Sequence, residues 1–191
     1  SSDLTKAQWA RQRIFIDFLG LGCVKWKKNM GFKVLDFSPQ DSDELAKLAV
    51  SAFEQYKDIY DDWDVFISRI AAMPSLADSS EIIVAKIDDE IVGAVGYVAP
   101  HKPKAEFFEP EWAVVRMLVV TPKARGLGIG KALTEECIKR AKRDGAQTVA
   151  LHTSQIMQTA LAMYLRIGFK YKKAAPNIFG VEYGVYTIEI N

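Results

Sequence analysis

Two cysteines among 191 residues, Cys23 and Cys137, give no disulfide framework. Neither belongs to a Cys-x-x-Cys pair, so no zinc site or dithiol redox motif is expected and the metal complement is read as none. Such usage implies a reducing compartment, the cytoplasm by default. An excess of one charge is also missing: 25 Lys+Arg stand against 24 Asp+Glu, a formal net charge of +1. That balance argues against a nucleic-acid partner held by a whole-domain basic field. It also leaves little charge repulsion against self-association. No uninterrupted apolar stretch is long enough to span a bilayer, so no membrane partner is expected. Within 14–26, Asp17 breaks the apolar run and Gly20 stands where a lipoprotein signal wants Leu, so no signal peptide is expected. Internal repeats are absent. With 49% hydrophobic and 26% charged residues, collagen, coiled coil and low-complexity disorder are excluded.

The length suits one domain, or one domain with an added segment. A chain of this length buries roughly 70% of its unfolded surface and needs no staple. Residues 1–30 are set apart. Leu4, Trp9, Ile14, Phe15, Phe18 and Leu19 suit an amphipathic helix that Gly20 and Gly22 stop. This helix either packs on its own domain or serves as a contact for a partner or a homodimer. Residues 31–191 form the main domain.

Within it, 33–37 reads as a strand. Ser38-Pro39-Gln40-Asp41 resembles a helix start, with Ser as cap and Pro at the first position. Leu45, Leu48, Ala49, Ala52, Phe53 and Tyr56 follow at helical spacing. A second helix is expected over 63–73. Strands over 81–87 and 91–98 flank the turn Asp88-Asp89-Glu90. Residues 112–120 are apolar apart from Arg116, as in a central strand covered on both faces. A helix over 130–143, a buried strand over 148–153, a helix over 154–166 and strands over 169–173 and 184–190 complete an α/β (α+β) chain. The order β-α-α-β-β-β-α-β-α-β-β implies a mixed sheet with helices on both sides.

The sharpest feature runs from Val119 to Lys131. A buried strand passes through Thr121-Pro122-Lys123-Ala124-Arg125 into Gly126, Gly128 and Gly130, and then into a helix. Glycines let backbone N–H groups approach a ligand, and the helix adds the positive end of its dipole. With Arg125 and Lys131 nearby, this is an anion cradle suited to phosphate. It is not a P-loop, because Arg125 stands at the first glycine position and Ala132 at the hydroxyl position. It is not a dinucleotide fingerprint either, because Lys131 stands at the third glycine.

The remaining pattern, Arg-x-x-Gly-x-Gly through Arg125, Gly128 and Gly130, resembles the acetyl-CoA motif of the GNAT superfamily of N-acetyltransferases. A second segment, Ala160-Leu161-Ala162-Met163-Tyr164-Leu165-Arg166-Ile167-Gly168-Phe169, is similar to that family's Ala-x-x-x-Tyr-x-x-x-Gly-Phe. The resemblance covers roughly residues 31–191. It implies a mixed, mostly antiparallel sheet of about seven strands, helices on both faces, and a splay between the fourth and fifth strands.

The resemblance also implies acetyl-CoA as co-substrate. Leu118, Val119 and Val120 would pair their backbone with the pantetheine arm, as an added strand does. Arg125, Gly126, Gly128 and Gly130 would hold the pyrophosphate, with Ile129 and Lys131 in the same cofactor-binding set. Backbone N–H groups at the splay would stabilise an oxyanion. Tyr164 matches the tyrosine that returns a proton to the departing thiolate. Many relatives place an acid on the fourth strand to take the amine's proton. Here Val114 stands at that place, and Glu111 is the nearest substitute. Glu109, His101, His152 and a water chain to bulk stay open.

Three further expectations follow. Cys137, on the apolar face of the glycine-motif helix, is a buried small hydrophobe rather than a nucleophile. Lys139, Arg140, Lys142 and Arg143 suit a helix C-terminus and a solvated face, with a reach to the adenosine 3′-phosphate as the alternative. Ala52 to Asp64 and Ala174 to Tyr183 would line the acceptor side, where Tyr56, Tyr60, Asp61, Asp62, Trp63 and Asp64 suit a cationic amine. The function so implied is acetyl transfer to a primary amine, a small molecule being favoured. A non-catalytic acyl-CoA-binding module and a protein N-acetyltransferase are the alternatives.

Overall fold

The computed structural model describes residues 31–190. The helix expected within residues 1–30, and the choice between its two packings, lies outside the described residues. Strands and helices run β1 (Lys33–Asp36), α1 (Ser42–Phe53), α2 (Trp63–Ala71), β2 (Glu81–Ile87), β3 (Glu90–Val98), β4 (Ala113–Val120), α3 (Ile129–Arg143), β5 (Thr148–Thr153), α4 (Gln158–Ile167), β6 (Lys170–Ile178) and β7 (Val181–Glu189). This is the order expected from the sequence. The strands form one seven-stranded sheet in the order β1-β2-β3-β4-β5-β7-β6. Neighbours are antiparallel except β4 and β5, which run parallel.

Two apolar layers sandwich the sheet. Leu45, Leu48, Ala49 and Ala52 of α1, and Phe66 and Ile70 of α2, pack over Val114, Val119 and Ala150. Leu133, Cys137 and Ala141 of α3, and Leu161 and Tyr164 of α4, pack over Val115, Val149 and Leu151 on the other face. Alternation along β4 and β5 thus feeds both layers, which is why both strands read as nearly continuous apolar runs. No helix among the described residues is long and apolar enough to cross a membrane.

The pairing of β4 with β5 holds only at Ala113 with Val149 and at Val114 with Ala150. Just beyond, β4 carries a bulge: the step from Ala94 to Gly96 on β3 is matched by the longer step from Val119 to Arg116. Met117 lies inside it with φ 53°, a left-handed conformation costly for a side chain of this size. A bulge bends its strand and sharpens its twist. The sheet therefore splits between its fourth and fifth strands, as the resemblance implied.

Three boundaries differ from the sequence reading. Ser38 is extended as a cap residue should be, but its side chain makes no cap hydrogen bond, and Pro39–Asp41 form one 3-10 turn before α1. The helix expected from residue 154 starts at Gln158. Ser154 explains the delay, because its Oγ accepts the N–H of Ile156 at 3.4 Å, a local bond that competes with the helix. The stretch 174–183, expected as a loop, is mostly strand. β6 and β7 are joined by a two-residue turn at Phe179 and Gly180, both with positive φ, which is the twist a tight hairpin needs. Pro176 suggested a loop, yet it sits on an edge strand at a register shift between Ala175 and Ile178, where proline is tolerated.

Candidate active site

The split opens a cavity of about 520 Å³. Leu118, Val119 and Val120 of β4 form one wall, and Thr159, Ala160, Met163, Arg166 and Ile167 of α4 form another. The glycine turn contributes Arg125, Gly126, Gly128, Ile129, Gly130 and Lys131, and the end of α1 with the turn after it adds Ala52, Phe53, Gln55 and Tyr56. Every residue of the expected cofactor-binding set therefore borders the same space. Gln55 falls within the stretch 52–64 expected on the acceptor side, and the α4 residues from Ala160 onward within the second motif, but none was singled out as a cavity wall. On α4 the helical spacing puts 159, 160, 163, 166 and 167 on one face.

The turn has the build of an anion cradle. Gly126 and Gly128 hold φ values of 79° and 85°, open to glycine without strain. A Cβ built on either would meet nothing within 4 Å. The backbone thus faces empty space there. Gly128 is also the N-cap of α3, so that helix's unpaired N–H groups and positive dipole end meet at the turn. At Gly130 a Cβ would come within 3.2 Å of Met163 Sδ, so a larger residue there would press on the α4 wall and shift the Met163 side chain.

Arg125 borders the cavity and is anchored by two other residues of its wall. It donates to Gln55 Oε1 at 3.0 Å and to the Ala52 carbonyl at 3.2 Å. The Ala52 carbonyl lies in the last turn of α1, where a cation is favoured. Burial raises the pKa of Tyr56, and the Arg125 guanidinium offsets part of that rise. Lys131 pairs with Glu135 one turn along α3, at 3.3 Å.

Tyr164 is buried and packs edge-on against Phe169 with 5.7 Å between ring centroids. It does not border the cavity, although Ala160 and Met163 beside it on α4 do. Burial, with a smaller contribution from the Cys137 thiol, pushes the phenol's pKa well above its usual value. The hydroxyl therefore stays protonated. Glu111 is exposed and precedes β4 at the end where β4 and β5 are still paired. It does not border the cavity. Seven residues separate it from Leu118, roughly 20 Å of strand. Val114 is buried beneath α1 and α2.

His152 lies on the α1 side of β5, walled by the rings of Phe107, Phe108 and Tyr183 at 5.5, 5.9 and 5.4 Å. Its Nδ1 is buried and has no hydrogen-bond partner. Desolvation first, and the Arg116 charge second, push its pKa down to about 4. Between that value and the ordinary 6.5, the unfolded chain binds a proton that the folded chain refuses. Stability held above pH 6.5 is thus lost as pH falls toward 4, by about 3 kcal/mol at most. His152→Gln removes this titration. Its melting temperature should fall less than the wild type's between pH 7 and 4. Parallel curves would assign the acid sensitivity to other groups.

Other expectations resolve as follows. Cys137 is fully buried and its thiol pKa is raised by desolvation. Arg140 is held by Asp36, Glu81 and Glu136, and Arg143 by Glu81 and Asp144. These two arginines end α3 far from the glycine turn and serve ion pairs, so the alternative reach of these two residues to a cofactor phosphate is corrected. Of the stretch 52–64, only Ala52, Phe53, Gln55 and Tyr56 border the cavity. Tyr60 stacks on Phe66 at 3.8 Å, and its hydroxyl meets that of Tyr183 at 2.5 Å. Asp62 accepts the Val65 N–H at 3.1 Å and caps α2. Among the described residues, no group of three or more His, Cys, Asp or Glu could hold a metal ion.

Comparison with known proteins agrees with this geometry. A mycothiol acetyltransferase of Paenarthrobacter aurescens (strain TC1) is 40% identical over 60 residues, 31% of this chain but only 19% of that relative. The chain thus spans about a fifth of that relative's length. The PaiA N-acetyltransferase of Thermoplasma acidophilum, crystallised with coenzyme A, superposes with a TM-score of 0.69 at 18% identity, over 84% of this chain and all of that one. YncA of Salmonella typhimurium, a putative acetyltransferase solved with acetyl-CoA, gives 0.61 at 15% identity, over 84% of this chain and 94% of its own. These two show a shared fold. The model of the acetyltransferase (GNAT) family matches residues 42–169, from the start of α1 to the Gly-Phe after α4. With two thirds of the chain matched, the protein belongs to the GNAT family of acetyltransferases.

Proposed function

We propose that this chain transfers the acetyl group of acetyl-CoA to a primary amine of a small molecule. The observation that carries the reading is the cavity at the split sheet, bordered at once by the glycine turn, the free edge of β4 and the aromatic end of α1. The residues suit acetyl-CoA: the left-handed glycines face open space, and α3 begins there. Gly126, Gly128 and Gly130, with the first N–H groups of α3, hold the pyrophosphate. Leu118, Val119 and Val120 offer the edge of β4 to the pantetheine amides. Bound there, acetyl-CoA supplies an activated acetyl group and a leaving thiol with an ordinary pKa of roughly 8.5.

The overall exchange forms one C–N bond, breaks one C–S bond and moves one proton from nitrogen to sulfur. Phe53, Tyr56 and Met157 also line the cavity and on this reading screen the acceptor from bulk water. Tyr164 is assigned as the proton donor at the sulfur; it lies just behind the α4 wall of the cavity, so the role requires its hydroxyl to reach the thiolate once acetyl-CoA is bound. Burial keeps its phenol protonated at rest, and the proton the amine loses balances the one delivered to the sulfur. Glu111 takes part only by relay through water, given its distance along β4. Glu111→Gln is accordingly expected to lower kcat by less than about ten-fold, read as thiol release at saturating acetyl-CoA. A loss as large as that of a direct base would place the carboxylate at the amine.

Thiol release across a panel of small primary amines, with the acetylated product identified by mass, tests the reading. Turnover above background hydrolysis supports it. Binding of acetyl-CoA without turnover for any amine in the panel would favour the non-catalytic module, motivated by Val114. Acetylation confined to proteins would favour the protein N-acetyltransferase.

A further inference from the structure

The geometry points to Arg166 as the residue that reads the 3′-phosphate of coenzyme A, and so as the determinant that separates this cofactor from its 3′-dephospho form. The inference rests on the acetyl-CoA reading above and assigns a further charge site to it. Coenzyme A carries two separate anionic groups, the diphosphate and a phosphate monoester. The glycine turn, with its N–H groups and the start of α3, accounts for one of them. A phosphate monoester near neutral pH needs a cation, best an arginine with its planar fork.

Among the described residues, three cations border the cavity: Arg125, Lys131 and Arg166. Arg125 is bound to Gln55 and the Ala52 carbonyl. Lys131 is paired with Glu135. Arg166 is exposed and has no carboxylate partner among the described residues. Its place on the wall is set by α4. Met163 touches the first turn of α3 at Gly130, and Arg166 follows three residues later on the same face, roughly 4.5 Å further along the helix axis. It therefore stands beside the cradle, displaced along the cavity wall. Arg140 and Arg143 are taken up by carboxylates at the other end of α3. The helix is 15 residues long, which puts them roughly 20 Å from the turn.

Titration calorimetry with coenzyme A and with 3′-dephospho-coenzyme A tests this on folded protein without any turnover. Wild type should bind coenzyme A roughly ten-fold or more tightly than the dephospho form. Arg166→Met should bring coenzyme A down to the affinity of the dephospho form and leave the latter unchanged. Arg166→Lys should recover part of the preference. An Arg166→Met protein that still prefers coenzyme A, or that weakens both ligands equally, would overturn the assignment. Wild type that binds neither ligand would instead overturn the cofactor reading on which it rests.

Discussion

Tyr164→Phe is expected to lower kcat by a factor of about 10²–10⁴, as removal of a proton donor does, while acetyl-CoA affinity stays nearly unchanged. The substitution deletes one oxygen and leaves the ring. Tyr164 is 5% exposed and its ring packs on Phe169, contacts that phenylalanine keeps. In the proposed role the hydroxyl acts on charge that appears as the C–S bond breaks, so its loss is expected to fall on the transition state rather than on ground-state binding. A tyrosine that only fills the α3 and α4 layer behaves differently. Its replacement changes the melting temperature and leaves turnover per folded molecule intact. Both quantities measured on one preparation decide between the two. An unaltered kcat would make solvent the proton source for the departing thiolate.

Gly128→Ala should weaken acetyl-CoA binding by about 10- to 100-fold, the worth of one or two hydrogen bonds to a charged group, while the protein still folds. The folding cost is small for two reasons. A left-handed alanine costs roughly 1–2 kcal/mol, within the usual stability margin of a domain. The new methyl meets no protein atom within 4 Å. The space it fills is the space an anion needs to reach the turn's N–H groups. Circular dichroism and calorimetry on the same sample separate folding from binding. A folded variant with unchanged affinity would place the anion site elsewhere.

The order of strands and helices along the chain and the glycine turn were legible because each rests on local signals, whereas Leu118, Val119 and Val120 came only from the resemblance. The local signals are apolar runs of strand length, alternating glycines before a helix, and apolar spacing on α3. The bulge in β4 left no trace. Arg116-Met117-Leu118 reads as continuous strand, and the positive φ of Met117 comes from pairing with β3. The long hairpin of β6 and β7 was hidden by Pro176, whose place on an outer strand only the assembled sheet reveals. Gln55 and Arg125 lie 70 residues apart in sequence, and no pattern in either neighbourhood announces their hydrogen bond. The tie-up of Arg140 and Arg143 is of the same kind. A basic run at a helix end looks the same in sequence whether it meets phosphates or carboxylates.

The most direct test of the account is a calorimetric titration of the folded wild-type chain with acetyl-CoA. The account predicts saturable binding at one site per chain, weakened by Gly128→Ala and nearly unaffected by Tyr164→Phe. No heat of binding across a range of temperatures, from protein shown to be folded, would contradict it.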